Sequence, residues 1–337
     1  MIRTARICLL ALLLGGCNDY QSALGGDGAE GVNFVRLFAV FMGVCAFMYL
    51  LIVCGLFAAL WRSRGEADPL TVEAGQQHEE PAAAPRWLVA WGALILAGLV
   101  ALTVASFFTD RSNAAAASRP ELLIRVTANQ FWWDVQYQSG DVSRNFRTAN
   151  ELHLPLGVPT QVTLQSNDVI HSFWIPNLAG KQDLIPGRVT DIQLVPRRAG
   201  PFRGQCAEFC GIQHAHMALD VTVEPRDKFR QWVAAQQRVA SAPTNPIELA
   251  GMGYFNSRQC SACHNIGGTN ASATVGPDLT HLASRRSLAA GTMPMSEANL
   301  EAWLADPQAP KPGNNMPKIP LKPDELKSLT AYLARLK

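Results

Sequence analysis

Two long apolar runs dominate the hydrophobic pattern in the first third of the chain. Residues 37–60 and 87–108 contain no Asp, Glu, Lys or Arg, and each run provides the roughly 20 residues that a bilayer-spanning helix needs. The pattern therefore predicts two transmembrane helices within residues 34–109. Arg62 and Arg64 follow the first run and Arg86 precedes the second, which favours a cytoplasmic loop between the helices and an exported remainder.

A shorter apolar stretch at the start of the chain is typical of an export signal. Arg3 and Arg6 precede the apolar residues 7–14, and two glycines then lead to Cys17. The string Leu-Gly-Gly-Cys17 resembles the cleavage box of bacterial lipoproteins, so we expect residues 1–16 to be a signal peptide and Cys17 to be a candidate for lipidation. An ordinary signal followed by a coincidental cysteine is the alternative.

The pattern changes twice after the apolar runs. Across residues 120–225, short runs of β-branched and aromatic residues are broken by Gly, Pro, Asn and Asp, which predicts an antiparallel sandwich or barrel of about 100 residues. Residues 226–245 are predicted to be a linker that starts with a helical stretch. Residues 246–337 are predicted to form a small helical domain, whose first and last helices cover about 246–257 and 322–336.

Composition argues against two classes of protein: nucleic-acid-binding proteins and small disulfide-stabilised proteins. The formal net charge of the 337 residues is only +2, which gives no electrostatic argument for binding nucleic acid. The eight cysteines fall near the start, in the first apolar run and in two tight downstream pairs. This distribution is unlike the dense framework of a small disulfide-stabilised protein.

One short segment near the end of the predicted β domain concentrates metal-binding side chains. Cys206 and Cys210 are followed closely by His214 and Met217, and soft sulfur together with imidazole favours copper over hard cations. A mononuclear blue-copper site uses a single cysteine, whereas two cysteines on one loop can bridge two copper ions. A second histidine must then come from elsewhere, and His171 is the obvious donor.

These residues resemble subunit II of cytochrome c oxidase, in which a cupredoxin-like sandwich carries the binuclear copper centre CuA. The likeness lies in the order and spacing of the motif, in His171 upstream and in Ile185-Pro-Gly-Arg188 between them, and it covers about residues 34–224. The resemblance implies these copper ligands: Cys206 and Cys210 as bridging thiolates, His171 and His214 as terminal imidazoles, Met217 as a weak ligand, and Glu208 through its backbone carbonyl.

Other residues of the motif have less specific interpretations. In the family, the side chain corresponding to Glu208 also reaches a magnesium ion at the interface with the catalytic subunit. His216 is expected to face solvent or to support a ligand, and His153 is expected to be structural. A redox disulfide or a copper-delivery site is the alternative interpretation of Cys206 and Cys210.

An aromatic run follows Gln130 at the start of the β domain. Phe131, Trp132 and Trp133 resemble the family's aromatic patch, where a tryptophan receives electrons from soluble cytochrome c. Phe131 occupies the position that we align with that tryptophan, so Trp132 and Trp133 are further candidates for electron transfer. Ordinary packing within a sheet is the alternative for both tryptophans.

The helical domain carries the signature of covalent haem attachment. Cys260-Ser-Ala-Cys263-His264 supplies two thiols for the haem vinyl groups and one axial histidine for the iron. Met316, on a loop bounded by Gly and Pro, is our choice for the sixth ligand; its rivals are Met293 and Met295, and more weakly His281.

The whole domain resembles class I cytochromes c. In that family an N-terminal helix crosses a C-terminal one, and the iron-binding methionine lies on a loop such as the one that carries Met316. Gly276-Pro277-Asp278-Leu279 also resembles the stretch that lines the haem in that family.

A copper pair and a haem in series describe an electron carrier, because neither site has an open position or a general base for substrate chemistry. Resemblance to caa-type oxidases implies that an external donor, such as a cytochrome or a quinol–cytochrome reductase, reduces the haem. Electrons then pass through CuA to a catalytic haem–copper subunit I that reduces oxygen, with further oxidase subunits as partners in the membrane. Two alternatives remain open: the small subunit of a CuA-containing nitric oxide reductase, and a membrane-anchored copper-delivery or thiol-redox protein.

Overall fold

The structure is a computed structural model that describes residues 20–63, 84–116 and 119–337. The predicted signal peptide, Cys17 and most of the loop between the apolar runs lie outside the described residues. Two units can be separated, one formed by residues 33–116 and the other by the remaining chain.

The first unit contains two long apolar helices. Helix α1 covers Ala29–Ser63 and helix α2 covers Ala84–Ala116. At 1.5 Å per residue, each is long enough to cross the roughly 30 Å hydrocarbon core of a bilayer. None of the residues in their most apolar stretches is buried, which is the pattern expected of helices that lie in lipid. The prediction of two apolar helices is confirmed.

The β domain is a sandwich of two five-stranded sheets. One sheet has the strand order β3-β2-β1-β5-β8 and the other has the order β4-β10-β9-β6-β7. The strands are β1 (Leu122–Asn129), β2 (Trp132–Gln138), β3 (Phe146–Ala149), β4 (Glu151–Pro155), β5 (Thr160–Ser166), β6 (His171–Trp174), β7 (Gln182–Leu184), β8 (Thr190–Leu194), β9 (Gly200–Cys206) and β10 (Ala218–Glu224).

The sandwich core follows from alternation along the strands. In β1, Ile124, Val126 and Ala128 are fully buried while their neighbours are more exposed, as a period of two requires when one face meets the core. The sandwich is confirmed, but its expected antiparallel pairing is only partly right, because β1 pairs with β5 and β4 with β10 in parallel. Alternation specifies which face is buried and carries no information about strand direction.

The predicted linker begins with a helix that packs on the β domain. Helix α3 covers Arg226–Gln236, and its Phe229 and Trp232 contact Tyr137. Trp232 also stacks on His153, with ring centroids 4.0 Å apart. This end of the linker segment therefore belongs to the sandwich core rather than to a free connector.

The helical domain contains α4 (Pro246–Ser257), α5 (Glu297–Ala305) and α6 (Pro323–Ala334), with a short pair of strands, β11 (Ser287–Leu288) and β12 (Met293–Pro294). Asn245 caps α4 by accepting a hydrogen bond from the Glu248 N–H at 2.9 Å, and Ser296 caps α5 in the same way. A Cβ atom on Gly251 would lie 2.0 Å from the Ser328 carbonyl oxygen. Glycine is therefore required where α4 crosses α6.

Candidate copper and haem sites

The copper cluster consists of His171, Cys206, Cys210, His214 and Met217, and the fold brings all five together. The two sulfurs lie 3.8 Å apart, and each lies 3.7 Å from one imidazole: Cys206 from His171 Nδ1 and Cys210 from His214 Nδ1. Met217 Sδ lies 3.9 Å from Cys210 Sγ.

Strand ends position these ligands. His171 is the first residue of β6 and Cys206 is the last of β9, and the two strands are neighbours in one sheet. The remaining ligands come from the loop that joins β9 to β10. Because β6, β9 and β10 are antiparallel neighbours in one sheet, candidate ligands separated by up to 46 positions meet at one end of the sheet.

Asp168 orients the upstream histidine. Its carboxylate lies 2.8 Å from His171 Nε2 and accepts that N–H, which leaves the Nδ1 lone pair facing the sulfurs. The other carboxylate oxygen accepts the Gln130 backbone N–H at 2.6 Å. Burial alone would lower the pKa of His171, but Asp168 and Cys206 outweigh it and raise that pKa.

The two thiols lie close enough to shift each other's pKa in opposite directions. The hydrogen bond between the sulfurs lowers the pKa of Cys206 and raises that of Cys210, because two thiolates this close repel each other. A cation placed between them removes that repulsion. Both cysteines are almost fully buried, so the pair is shielded from water.

Glu208 and His216 take different positions. The Glu208 carbonyl oxygen lies 3.2 Å from Cys206 Sγ, while its carboxylate is exposed and lies 3.7 Å from Lys181. His216 is outside the cluster and bonds through Nδ1 to Gln213 Oε1 at 2.8 Å. The donor set is two thiolates, two imidazoles, a thioether and a carbonyl, which fits soft, copper-type coordination.

The aromatic run lies between this cluster and the helical domain. Trp133 is fully buried, packs edge-on against His171 and donates a hydrogen bond to the Met217 carbonyl at 3.4 Å. Phe131 and Trp132 instead line a cavity in the helical domain. The run therefore contacts both candidate sites.

That cavity has a volume of about 550 Å³ and contains the haem-attachment signature. Cys260, Cys263 and His264 lie in its wall, together with apolar side chains such as Leu279 and Leu300. The two thiols are partly exposed to the cavity, so they are accessible for bonding to a group placed there.

The backbone holds His264 in a suitable tautomer. Its Nδ1–H donates to the Pro277 carbonyl at 2.7 Å, so Nε2 keeps its lone pair for iron. Burial lowers the pKa of His264, which favours the neutral form that binds metals. A Cβ atom on Gly276 would lie 2.7 Å from His264 Cε1, so glycine permits this close approach.

Met316 lines the cavity, whereas Met293, Met295 and His281 do not appear in its wall. The His281 Nε2 atom lies 3.1 Å from the Arg238 carbonyl oxygen. Two hydrogen bonds of 2.8 Å hold its backbone: the Met316 N–H donates to Asn314 Oδ1, and Gln308 Nε2 donates to the Met316 carbonyl. An apolar cavity with two thiols, a neutral histidine and a methionine fits a covalently bound haem.

Two residues with clear roles in this geometry were not predicted. Asp168 precedes the candidate ligand His171 by three positions. This short spacing is the only feature of the sequence that could have indicated a carboxylate supporting the histidine. Nothing in the sequence around Lys311 predicts that its side chain is buried, yet it lies buried at the boundary of the two domains. Burial lowers the pKa of Lys311 to about 7.

Comparison with known proteins adds family information. The profile described as "Cytochrome C oxidase subunit II, periplasmic domain" matches residues 125–224, and the profile described as "Cytochrome c" matches residues 249–337. Among solved structures, the periplasmic domain of subunit II of cytochrome oxidase from Bradyrhizobium japonicum is 28% identical, with a TM-score of 0.34; the alignment covers 36% of this chain and 96% of that one.

Curated relatives align over most of the chain. Cytochrome c oxidase subunit 2 of Alkalihalophilus pseudofirmus is 34% identical over 245 residues, which cover 72% of this chain and 70% of that protein. The same subunit of Bacillus sp. (strain PS3) is 33% identical over 238 residues, which cover 67% of this chain and 65% of that protein. The chain therefore belongs to the cytochrome c oxidase subunit 2 family, in a form that carries a C-terminal cytochrome c domain.

Proposed function

We propose that this chain is the electron-entry subunit of a terminal oxidase. The helical domain receives electrons from an external donor, and the β domain delivers them to a catalytic haem–copper subunit that reduces oxygen. When bound, covalent haem c and a binuclear copper centre would each accept and release single electrons.

The shared aromatic run is the observation that carries this proposal. Trp133 packs against the copper ligand His171, and Phe131 and Trp132, its immediate neighbours in sequence, line the cavity of the helical domain. Three consecutive residues thus contact both candidate sites, which supports direct transfer between them within one chain.

The protein's own residues would hold, orient and shield the two groups. Cys206, Cys210, His171, His214 and Met217 would bind the copper pair, and burial of both thiols excludes water. Asp168 keeps the His171 ring in one orientation. A fixed, dry ligand shell lets the oxidation state change with little rearrangement, which is what an electron carrier requires.

The haem would be held by a second group of residues. Cys260 and Cys263 would anchor it covalently, and His264 and Met316 would bind the iron from the cavity wall. Methionine as the sixth ligand raises the potential, which suits an electron acceptor.

Membrane placement follows from the same assignment. We propose that α1 and α2 both span the inner membrane of a bacterium, with both domains on the periplasmic side and Cys17 lipidated. The exposed Glu208 carboxylate would face subunit I and contribute there to a magnesium site.

The central test is a metal and haem count on the loaded, exported chain together with the variant Cys206→Ser. We expect two coppers and one haem in the wild type, with the electron paramagnetic resonance signal of a mixed-valence copper pair. In the variant that signal should vanish while the haem spectrum persists. One copper or none in the wild type would contradict the proposal and favour a copper-delivery or thiol-redox protein. Oxygen consumption by the purified complex, compared with nitric oxide consumption, separates the two oxidoreductase assignments.

A further inference from the structure

Lys311 is the most deeply buried cation at the boundary between the two domains among the described residues. Only 2% of its surface is exposed. Its Nζ atom donates to the carbonyl oxygens of Phe131 at 2.9 Å and His216 at 2.7 Å, both in the β domain. The third acceptor is the Ala289 carbonyl in the helical domain, also at 2.7 Å.

The number of partners matches the chemistry of the ammonium group. A protonated lysine has three N–H donors and no acceptor, and each donor has one carbonyl here. Burial disfavours the charged form and lowers the pKa of Lys311, whereas the three carbonyl acceptors favour the ammonium form by replacing its water shell. Because two of the three carbonyls belong to the β domain, the site is complete only when the domains are in contact.

Neighbouring contacts cluster on the same loop. We define the docking loop as residues 306–316, between α5 and the segment that leads to α6. Pro312 accepts a hydrogen bond from Gln213 Nε2 at 2.6 Å, and Asn315 Nδ2 donates to the Gln130 carbonyl at 2.8 Å. The loop therefore contacts both the aromatic run and the copper-ligand loop.

The docking loop also carries the candidate iron ligand. Met316 is its last residue and lines the cavity, while Lys311 holds the carbonyl of Phe131, another residue of the cavity wall. The other β-domain carbonyl bound by Lys311 belongs to His216, immediately before Met217, whose sulfur lies 3.9 Å from Cys210. One side chain thus links the backbone of both candidate sites.

We infer that Lys311 is a positioning residue that locks the helical domain onto the β domain and so sets the rate of haem-to-copper electron transfer. The inference rests on the proposed function. Electron transfer between two groups falls steeply with their separation, so a clamp that holds the domains together controls the rate. Lys311 also lines the cavity of the helical domain, but its three hydrogen bonds go to backbone carbonyls. Removing its donors takes the lysine partner from the Phe131 and His216 carbonyls, whereas the Ala289 carbonyl still accepts from Thr292 Oγ1. The lost hydrogen bonds to the β domain weaken docking.

The test compares Lys311→Met with Lys318→Met in the complete, cofactor-loaded oxidase. Lys318 is a matched control, because it follows the same loop, is largely exposed and bonds only to Asp306 within the helical domain. Two rates are measured: reduction of the haem by a small soluble reductant, and transfer from haem to copper after rapid photoreduction of the haem.

We expect Lys311→Met to slow haem-to-copper transfer at least about tenfold, the factor equivalent to about 1.4 kcal/mol of docking free energy. Haem reduction by the soluble reductant, the haem spectrum and the copper signal should stay unchanged, and Lys318→Met should change neither rate. Wild-type transfer in Lys311→Met would overturn the inference.

A second measurement on the wild-type complex covers the case in which the variant does not fold. Lys311 should resist acetylation by an amine-reactive reagent while Lys318 reacts, since only the docked arrangement buries Lys311. Equal labelling of the two lysines would overturn the inference. A wild-type chain that shows no haem-to-copper transfer would instead contradict the proposed function, and the labelling result would still report on docking.

Discussion

The copper cluster and the haem cavity place their ligands by different means. The cluster is closed: Cys206, Cys210 and Met217 are themselves members of the buried sandwich core. The cavity is open: Cys260 and Met316 are only partly buried at the edge of a smaller core, around a space of about 550 Å³. The candidate copper ligands therefore belong to the β-domain core, whereas the core of the helical domain surrounds an apolar space. We expect a bound group to complete that second core.

Removing the haem attachment gives the strongest test of this contrast. In Cys260→Ala/Cys263→Ala we expect complete loss of covalent haem and loss of cooperative folding of the helical domain. An apolar cavity of about 550 Å³ that stays unfilled deprives its lining side chains of packing contacts, which destabilises the small domain around it.

The β domain should keep its copper in that variant, as judged by the copper signal and by calorimetry. Cys45→Ala/Cys54→Ala, in α1, is the control and should retain haem. If the helical domain of the double variant still unfolds cooperatively, its core does not depend on a bound haem, and the proposed contrast between the two cores is wrong.

Replacing Met316, the proposed sixth ligand of the haem iron, probes the open cavity without emptying it. In Met316→Ala we expect the haem to stay attached but its reduction potential to fall by on the order of 100 mV or more, within the roughly 0.8 V range that axial ligands control. Redox titration and the near-infrared absorption band of methionine-bound haem measure this change. Met295→Ala should leave both unchanged, and the opposite pattern would assign the ligand to Met295.

Helix crossing offers a test of the helical core itself. In Gly251→Ala the new Cβ atom would overlap the Ser328 carbonyl of α6. We therefore expect the free energy of unfolding of the helical domain to fall by about 1–3 kcal/mol or more. Gly253→Ala is the control on the same helix, because nothing lies within 4 Å of its Cβ position. It should stabilise α4 by about 0.5–1 kcal/mol. Thermal unfolding of the haem-loaded chain measures both, and equal effects would contradict the close crossing.

Asp168 tests whether the closed cluster depends on its supporting hydrogen bonds. Asp168→Ala removes the acceptor that orients His171, so copper affinity should fall by about 10- to 100-fold. Competition with a copper chelator measures the affinity. The control Asp191→Ala, at an exposed position of β8, should bind copper normally. Unchanged affinity in Asp168→Ala would mean that packing alone orients the ring.

The smallest expected effect concerns His153, which belongs neither to the copper cluster nor to the cavity wall. Burial would lower the pKa of His153, but hydrogen bonds to Glu151 and Glu224 outweigh it and raise that pKa. A raised folded-state pKa stabilises the domain below the unfolded pKa of about 6.5, and the contribution is lost as pH rises through the folded value.

We therefore expect the free energy of unfolding of the β domain to fall above about pH 6.5, by about 1.4 kcal/mol for each unit of the shift. Denaturant unfolding followed by tryptophan fluorescence measures this, since Trp232 stacks on His153. His153→Gln should flatten the pH dependence and Lys228→Gln, on the exposed face of α3, should not. A slope that survives in His153→Gln would assign it to other groups.

Local patterns predicted the elements better than their arrangement. Helix α4 begins and ends where the capping residue Asn245 and the apolar pattern place it, because a helix end depends on a few neighbouring residues. The parallel pairs β1–β5 and β4–β10 were not predicted, because pairing direction depends on how distant strands return to the sheet. Helix α3 was placed in a linker for the same reason: its contact with His153 joins residues far apart in sequence.

The candidate ligands could be chosen from the sequence because metal and haem chemistry restricts residue type and spacing. Cys206 and Cys210, and likewise Cys260, Cys263 and His264, each lie on one short segment, where spacing alone nearly determines proximity. The choice of Met316 over Met293 and Met295 was weaker, since which methionine reaches the cavity depends on the course of a loop. These assignments remain predictions for the variants above to test.

By itself, the sequence determined the two apolar helices, the order of the domains and the kinds of donor atoms available to copper and haem. Only the tertiary structure decided that Asp168 orients the His171 ring, that residues 130–132 line the cavity of another domain, and that Lys311 meets carbonyls from both domains. The physical reason is range. Side-chain chemistry and hydrophobic period act over a few residues, whereas burial of a charge is decided by packing between segments 22 to 180 positions apart.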